Sequence, residues 1–264
     1  MSGFWLRCDL LWSLVRRDLS AKYQGSVLGN FWPLANQLVQ LLIYTYVFSV
    51  ILKVRLDLKG MPEGNITFGL WVFAGLVPWF AFTTGLFQSA RAVIDQPNLV
   101  KKVVFPLKLL PLVPILSAFL ESSMGLMALI VAAAIATGKV HLTLGLLPLV
   151  WVPQLLFTTG LGYFAASLSV FLRDVPQTVA VVLNIWFYLT PLVYPARSIP
   201  EAWRPWVLWC NPIAAIAETY RDLILAGQVQ HGAEWATATA IALLVFGVGN
   251  RCYDRLRPAF ADTL

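Results

Sequence analysis

Long uncharged stretches alternate with short charged ones along the whole chain. Residues 23–52, 64–90 and 175–196 carry no charge, 109–138 carries Glu121 alone, and 140–172 holds only the neutral His141. The last stretch, 235–250, is short and borrows Ala233 and Tyr253 at its ends. A helix needs about 20 apolar residues to cross a bilayer. The pattern predicts an all-α membrane protein with six transmembrane helices, at 28–52, 66–90, 109–137, 142–172, 176–195 and 233–251, in one domain over 1–264. The alternation over about ten residues that marks barrel strands is absent.

Two segments depart from simple crossing. Within 1–27, Asp9, Ser13, Arg16 or Arg17, Ser20 and Gln24 recur every three to four positions, while Cys8, Leu11, Val15 and Leu19 fall on another face. That pattern predicts an amphipathic helix lying along the inner membrane surface. Gly25, Ser26 and Gly29 supply a turn from the in-plane direction to the crossing one. In the loop 197–228, residues 205–217 are uncharged for 13 positions, too short to span and suited to a re-entrant or interfacial hairpin. Pro212 breaks that hairpin into two short helices.

Composition agrees with the pattern. The 264 residues are 59% hydrophobic and 12% charged, with mean hydropathy +0.73; soluble domains carry about 25% charged residues. The net charge of +6 is assigned to basic loops on the cytoplasmic side and not to nucleic acid. If both termini lie inside, twelve of the 19 Lys and Arg fall on that side and seven opposite, which predicts N-in and C-in. Cys8, Cys210 and Cys252 are too scattered for a disulfide framework or a metal site. Arg7, Asp9, Arg16 and Arg17 interrupt any signal-peptide core.

The spans offer candidate transport surfaces. Asn30, Pro33, Gln37, Gln40, Tyr44 and Phe48 are spaced by three or four and share one helical face. Gln177, Asn184, Tyr188, Pro191 and Pro195 repeat this in the fifth span. Such faces line a pore or bond to neighbouring helices. Glu121 costs at least about 2.5 kcal/mol at membrane depth. It is either a coupling carboxyl of a secondary transporter or a structural group bonded to Ser117 or Ser122, because no Lys, Arg or His falls at matching depth. Trp203, Trp206 and Trp209 form an interfacial belt or a sugar-stacking surface, which Tyr44, Phe48, Trp186, Phe187 and Tyr188 would continue through the membrane. Stacking tolerates sliding, which suits a long glycan better than an ion. No energy source is visible: Gly138-Lys139 is followed by Val140 and no phosphate-binding loop precedes it. Hydrolase and zinc-protease motifs are absent as well, so no catalytic residue or metal ligand is assigned.

Three segments carry a resemblance. RRDLSAKYQGSVLGNFWPLANQLVQLLIYTYVFSVIL, FLRDVPQTVAVVLNIWFYLTPLVYP and NPIAAIAETYRDLILAG resemble, in that order, segments of polysaccharide-exporting ABC transporter permeases of the ABC-2 type. The resemblance covers nearly the whole chain. It implies export of a lipid-linked O-antigen, or of teichoic acid or capsular polysaccharide, across the bacterial inner membrane. It also implies a homodimer with two copies of an ATP-binding cassette subunit, which would hold ATP and Mg; this chain would bind no cofactor of its own. Loop 91–108 would be the coupling helix, with Asp95, Asn98, Lys101 and Lys102 facing the ATPase. Gln37, Gln40, Tyr44, Phe48, Asn184, Trp186, Phe187 and Tyr188 would line the glycan channel. Arg16, Arg17 and Lys22 would either meet the lipid diphosphate or form a cationic face that holds the helix on anionic lipid. The segment 197–228 would be a periplasmic gate carrying Trp203, Trp206, Trp209, Glu218, Arg221 and Asp222. The competing reading is an ATP-independent secondary transporter or channel that uses Glu121.

Overall fold

A computed structural model describes residues 3–54, 64–101 and 105–264, and those residues contain helices and no strand. The helices are α1 (Gly3–Tyr23), α2 (Trp32–Thr45), α3 (Asn65–Arg91), α4 (Pro97–Val100), α5 (Leu109–Thr137), α6 (Leu147–Phe171), α7 (Val175–Leu189), α8 (Arg204–Cys210), α9 (Pro212–Arg221), α10 (Gly232–Leu256) and α11 (Phe260–Thr263). Short turns extend α2 to Gly29–Ile51 and α6 to Leu142–Phe171. Proline sits in the first turn of α2, α4, α6, α7, α8 and α9. There its missing N–H costs nothing and its fixed φ favours the helix.

α3 is the central post. Val72, Ala74, Leu76 and Phe82 have no exposed surface, and the helix packs against α2, α5, α6, α7 and α9. Polar side chains tie the neighbours to it. Ser122 Oγ on α5 donates to the Val77 carbonyl at 2.7 Å, and Gln154 Nε2 on α6 donates to the Pro78 carbonyl at 2.8 Å. Such bonds satisfy polar groups that lipid could not. α10 crosses α6 at Gly160, where an added Cβ would lie 2.6 Å from the Phe246 nitrogen. Two small residues at a crossing let the backbones touch; Gly249 is the partner across it.

Among the described residues, five helices are long and apolar enough to cross a membrane: Gly29–Ile51, Asn65–Arg91, Leu109–Thr137, Leu142–Phe171 and Gly232–Thr263. The expected span at 176–195 is the exception. α7 has 15 residues, about 22 Å at 1.5 Å per residue, against a hydrocarbon core of about 30 Å. It stops at Thr190, which is extended, and the chain continues as the buried segment 190–193.

The segment 197–228 holds two short helices that break at Pro212, as the sequence predicts. Its two helices occupy opposite environments: no residue of α8 is buried, whereas every residue of α9 is. α9 packs into the bundle against α3, α6 and α10. At the other end of the chain α1 packs along α5. Val15 is fully covered there, Leu11 and Leu19 are half-buried, and Cys8 is exposed.

Candidate translocation site

α2 and α7 meet through one aromatic contact. Tyr44 stacks on Phe187 with centroids 5.3 Å apart and planes 28° from parallel. Around it the expected surface residues separate. Gln40, Asn184 and Tyr188 are exposed, while Tyr44 and Phe48 are half-buried. Phe187 is buried, and its ring lies edge-on to Trp79 at 5.6 Å. Trp186 sets its edge against Phe82 and Phe157 at 5.4 and 6.1 Å. Gln37 is buried and its Oε1 lies against Gly125 of α5. The grouping of Trp186, Phe187 and Tyr188 on one surface is therefore corrected. Consecutive helical residues point about 100° apart, so Tyr188 faces outward while its two predecessors pack into the bundle. Of the expected surface residues, Gln40, Asn184 and Tyr188 are the exposed ones, among exposed apolar neighbours such as Leu42, Ile43, Ile185 and Leu189.

At the end of α1, Lys22 Nζ lies 3.1 Å from Asp18 Oδ2, 3.2 Å from Glu121 Oε1 and 2.8 Å from Gln88 Oε1. The Tyr23 hydroxyl donates to the same Glu121 oxygen at 3.2 Å. Burial, with the Glu121 charge second, raises the Tyr23 phenol above its ordinary pKa, so it stays a donor. Glu121 is thus partnered by a cation, contrary to the expectation that none lay at its depth. Ser122, an expected partner, is bonded to Val77 instead. Lys22 belongs to α1, 99 positions earlier in the chain, and only the packing of α1 on α5 brings it to Glu121. Beside this cluster is a cavity of roughly 500 Å³, lined by Arg17, Asp18, Lys22, Gln88, Arg91 and Asp95 among others. Arg16 is exposed and lies outside that lining.

The loop after α3 is held from beneath. Val93 and Val100 are buried in a small core with Tyr253 and Phe260 of the C-terminal helices. Asp95, Asn98 and Lys101 are exposed above it. Asp95 pairs with Arg91 at 3.6 Å, and Lys102 lies outside the described residues. Lys108, which sequence reasoning did not single out, closes the loop: its Nζ is 2.7 Å from Asp254 and 2.8 Å from Asn250. The Tyr253 hydroxyl donates to the Leu107 carbonyl at 2.8 Å.

At the opposite end, α8 and the residue before it display Trp203, Trp206 and Trp209 at 66%, 66% and 43% exposure. Glu218, Arg221 and Asp222 are buried instead. Arg221 donates to the carbonyls of Trp71 (3.2 Å), Pro191 (2.9 Å) and Leu192 (2.7 Å) and to Glu218 Oε1 (2.8 Å). Its guanidinium lies 3.5 Å from the Trp71 ring centroid, a cation–π arrangement. Asn211 caps α9 through the Ile213 and Ala214 amides and donates to Thr190 Oγ1 at 2.8 Å. Asp222 accepts from the Gln230 and His231 amides and pairs with His231 Nδ1 at 3.0 Å. Neighbours in sequence thus serve different contacts: Arg221 joins α3, α9 and the segment after α7, and Asp222 holds the turn before α10. Among the described residues no group of three or more His, Cys, Asp or Glu could hold a metal ion.

Comparison with known proteins gives this arrangement a context. The model of the ABC-2 type transporter family matches residues 9–225. The O-antigen export system permease protein RfbA of Myxococcus xanthus is 29% identical over 97% of this chain and 95% of its own length. An RfbA of Klebsiella pneumoniae is also 29% identical, over 97% of this chain and 95% of its own. A bundle of long apolar helices, matched over most of its length by that model, places this chain in the ABC-2 type transporter family as a multi-pass membrane protein.

Proposed function

We propose that this chain is the transmembrane subunit of an ATP-driven exporter that moves a lipid-linked polysaccharide, O-antigen first among the candidates, across the bacterial inner membrane. The observation that carries the reading is the end-to-end match to relatives named as O-antigen export permeases. In this reading 1–264 forms one transmembrane domain and two copies assemble with two ATP-binding subunits, which supply ATP and Mg. α7 and the buried segment after it make up a sixth crossing, which keeps both termini in the cytoplasm. α1 lies at the inner interface. The loop with Asp95, Asn98, Lys101 and Lys102 takes up the ATPase stroke, and its apolar anchorage on the C-terminal helices supports a rigid lever.

The glycan passes along the outward face of α2 and α7, over Gln40, Tyr44, Phe48, Asn184 and Tyr188. Gln37, Trp186 and Phe187 hold that wall from behind. The lipid diphosphate meets the cavity beside α1, where Arg17 is the open cation and Lys22 is already surrounded by oxygens. The exposed Trp203, Trp206 and Trp209 cover the outer exit. Glu218, Arg221 and Asp222 fix its frame. The test is the double substitution Tyr44→Ala/Tyr188→Ala in a strain that depends on this chain for its surface glycan. Surface glycan falls while the ATP-binding subunit still copurifies; undiminished glycan would remove the aromatic wall from the mechanism. Transport by the purified chain without any nucleotide-binding subunit would overturn the ATP-driven reading itself.

A further inference from the structure

Glu121 lies on α5 with 8% of its surface exposed. Its partners Lys22 and Tyr23 are the last two residues of α1. Lys22 is in turn held by Gln88 of α3 and by Asp18 one turn earlier. The chain then turns, with Gly25 and Gly29 at φ +80° and +50°, and enters α2. That helix buries little of itself: Pro33 and Gln37 are its buried residues, and Leu41 and Tyr44 touch the core from its edge. The firm polar attachment at the start of α2 is therefore the cluster around Glu121, immediately before the turn.

We propose that Glu121 is a positioning residue that fixes the hinge between α1 and α2 to α5, so that α2 pivots about this point. The Glu121 carboxylate is nearly buried and the Lys22 ammonium partly so, and they stay together because separating them leaves a poorly solvated carboxylate with no cation beside it. Tyr23 adds a second donor to the same oxygen, which fixes the direction of the chain end as well as its position. Motion that reaches α1 is then passed to α5 at the hinge, and α2 is free to swing from there. The transport consequence rests on the reading of α2 as a translocation wall; the hinge itself does not.

The test uses the full chain in lipid nanodiscs with Cys8, Cys210 and Cys252 replaced by serine. A nitroxide label is placed on Ser26→Cys in the turn, and a control label on the exposed Ile135→Cys of α5. Glu121→Leu by itself would set an apolar side chain against the Lys22 ammonium, which keeps Asp18 and Gln88, and could fail to fold. The informative variant is therefore Lys22→Met/Glu121→Leu, since apolar replacement of a buried ion pair is generally tolerated. The expected result is a severalfold faster motion of the label at 26, with the control unchanged. Surface glycan should drop severalfold at equal membrane abundance. The reversed pair Lys22→Glu/Glu121→Lys, combined with Asp18→Asn so that no second carboxylate faces position 22, should slow the label again and recover part of the export. Unchanged motion at 26 in the double variant overturns the hinge. Faster motion with full export overturns its part in transport. If the unmodified chain exports no glycan, the transport reading fails, and the label still decides the hinge.

Discussion

Arg221 brings a permanent charge into the bundle and uses four of its five N–H donors there, on three carbonyls and a carboxylate. The planar fork matters more than the charge. Lys would keep the cation, yet one ammonium cannot reach Trp71, Pro191 and Leu192 together. Arg221→Lys should therefore lose roughly 2 kcal/mol or more, the cost of a buried carbonyl left without a donor. Thermal unfolding in detergent should show a clear drop in midpoint for this variant. A second residue-scale effect follows pH. The hydrogen bond to Asp222, set against partial burial, raises His231 above its ordinary value. A raised folded-state pKa means that the protonated form is the stabilised one. The contribution is complete below the unfolded value of about 6.5 and is lost as pH rises through the folded value. Stability of the unmodified chain should decline across that window, and His231→Gln should flatten the slope. An equal slope in both would show that another group titrates.

At the scale of elements, the long helices were readable because membrane burial leaves an unmistakable trace, a run without charge. α3, α5, α6 and α10 lie where such runs predict them, and α1 starts and stops close to its amphipathic stretch. α7 was legible in type and not in length. Its uncharged run continues to residue 196, and nothing in that run announces that Arg221, 30 positions on from Pro191, will supply donors to the carbonyls of 191 and 192. Non-helical backbone is tolerated in an apolar bundle only when something satisfies it. Here the satisfying group is a charged side chain from α9, and Asn211 secures the same segment at Thr190. The aromatic surface failed for a local reason: a run of three rings was read as one face although helical geometry separates them. Glu121 failed for a distant one, because its partner belongs to a helix assigned to the membrane surface. Patterns that repeat within an element were thus visible, and contacts between remote elements were not.

At the scale of the whole molecule, the C-terminal helices pack beneath the loop that follows α3. Val93 and Val100 share a core with Tyr253 and Phe260, and Lys108 reaches Asp254 and Asn250. The ion pair is partly exposed, at 34% and 45%, and contributes at most about 1 kcal/mol. The apolar contact is the stronger link. Phe260 is fully buried, with its ring edge-on to Tyr253 at 5.4 Å and tilted toward Phe171 at 6.1 Å. Truncating such a ring costs about 3–5 kcal/mol. That loss falls on a small core and not on the α3 post, so opening should be local. In Phe260→Ala, backbone amides of 97–101 should exchange with deuterium faster, while those of 70–82 in α3 keep their protection. If the loop is the lever on which a partner ATPase acts, the same variant should bind that partner and hydrolyse ATP while passing little of the stroke to transport. Equal acceleration in 97–101 and 70–82 would mean that the inner core and the α3 core unfold as one unit, and a separate lever would then have no structural basis.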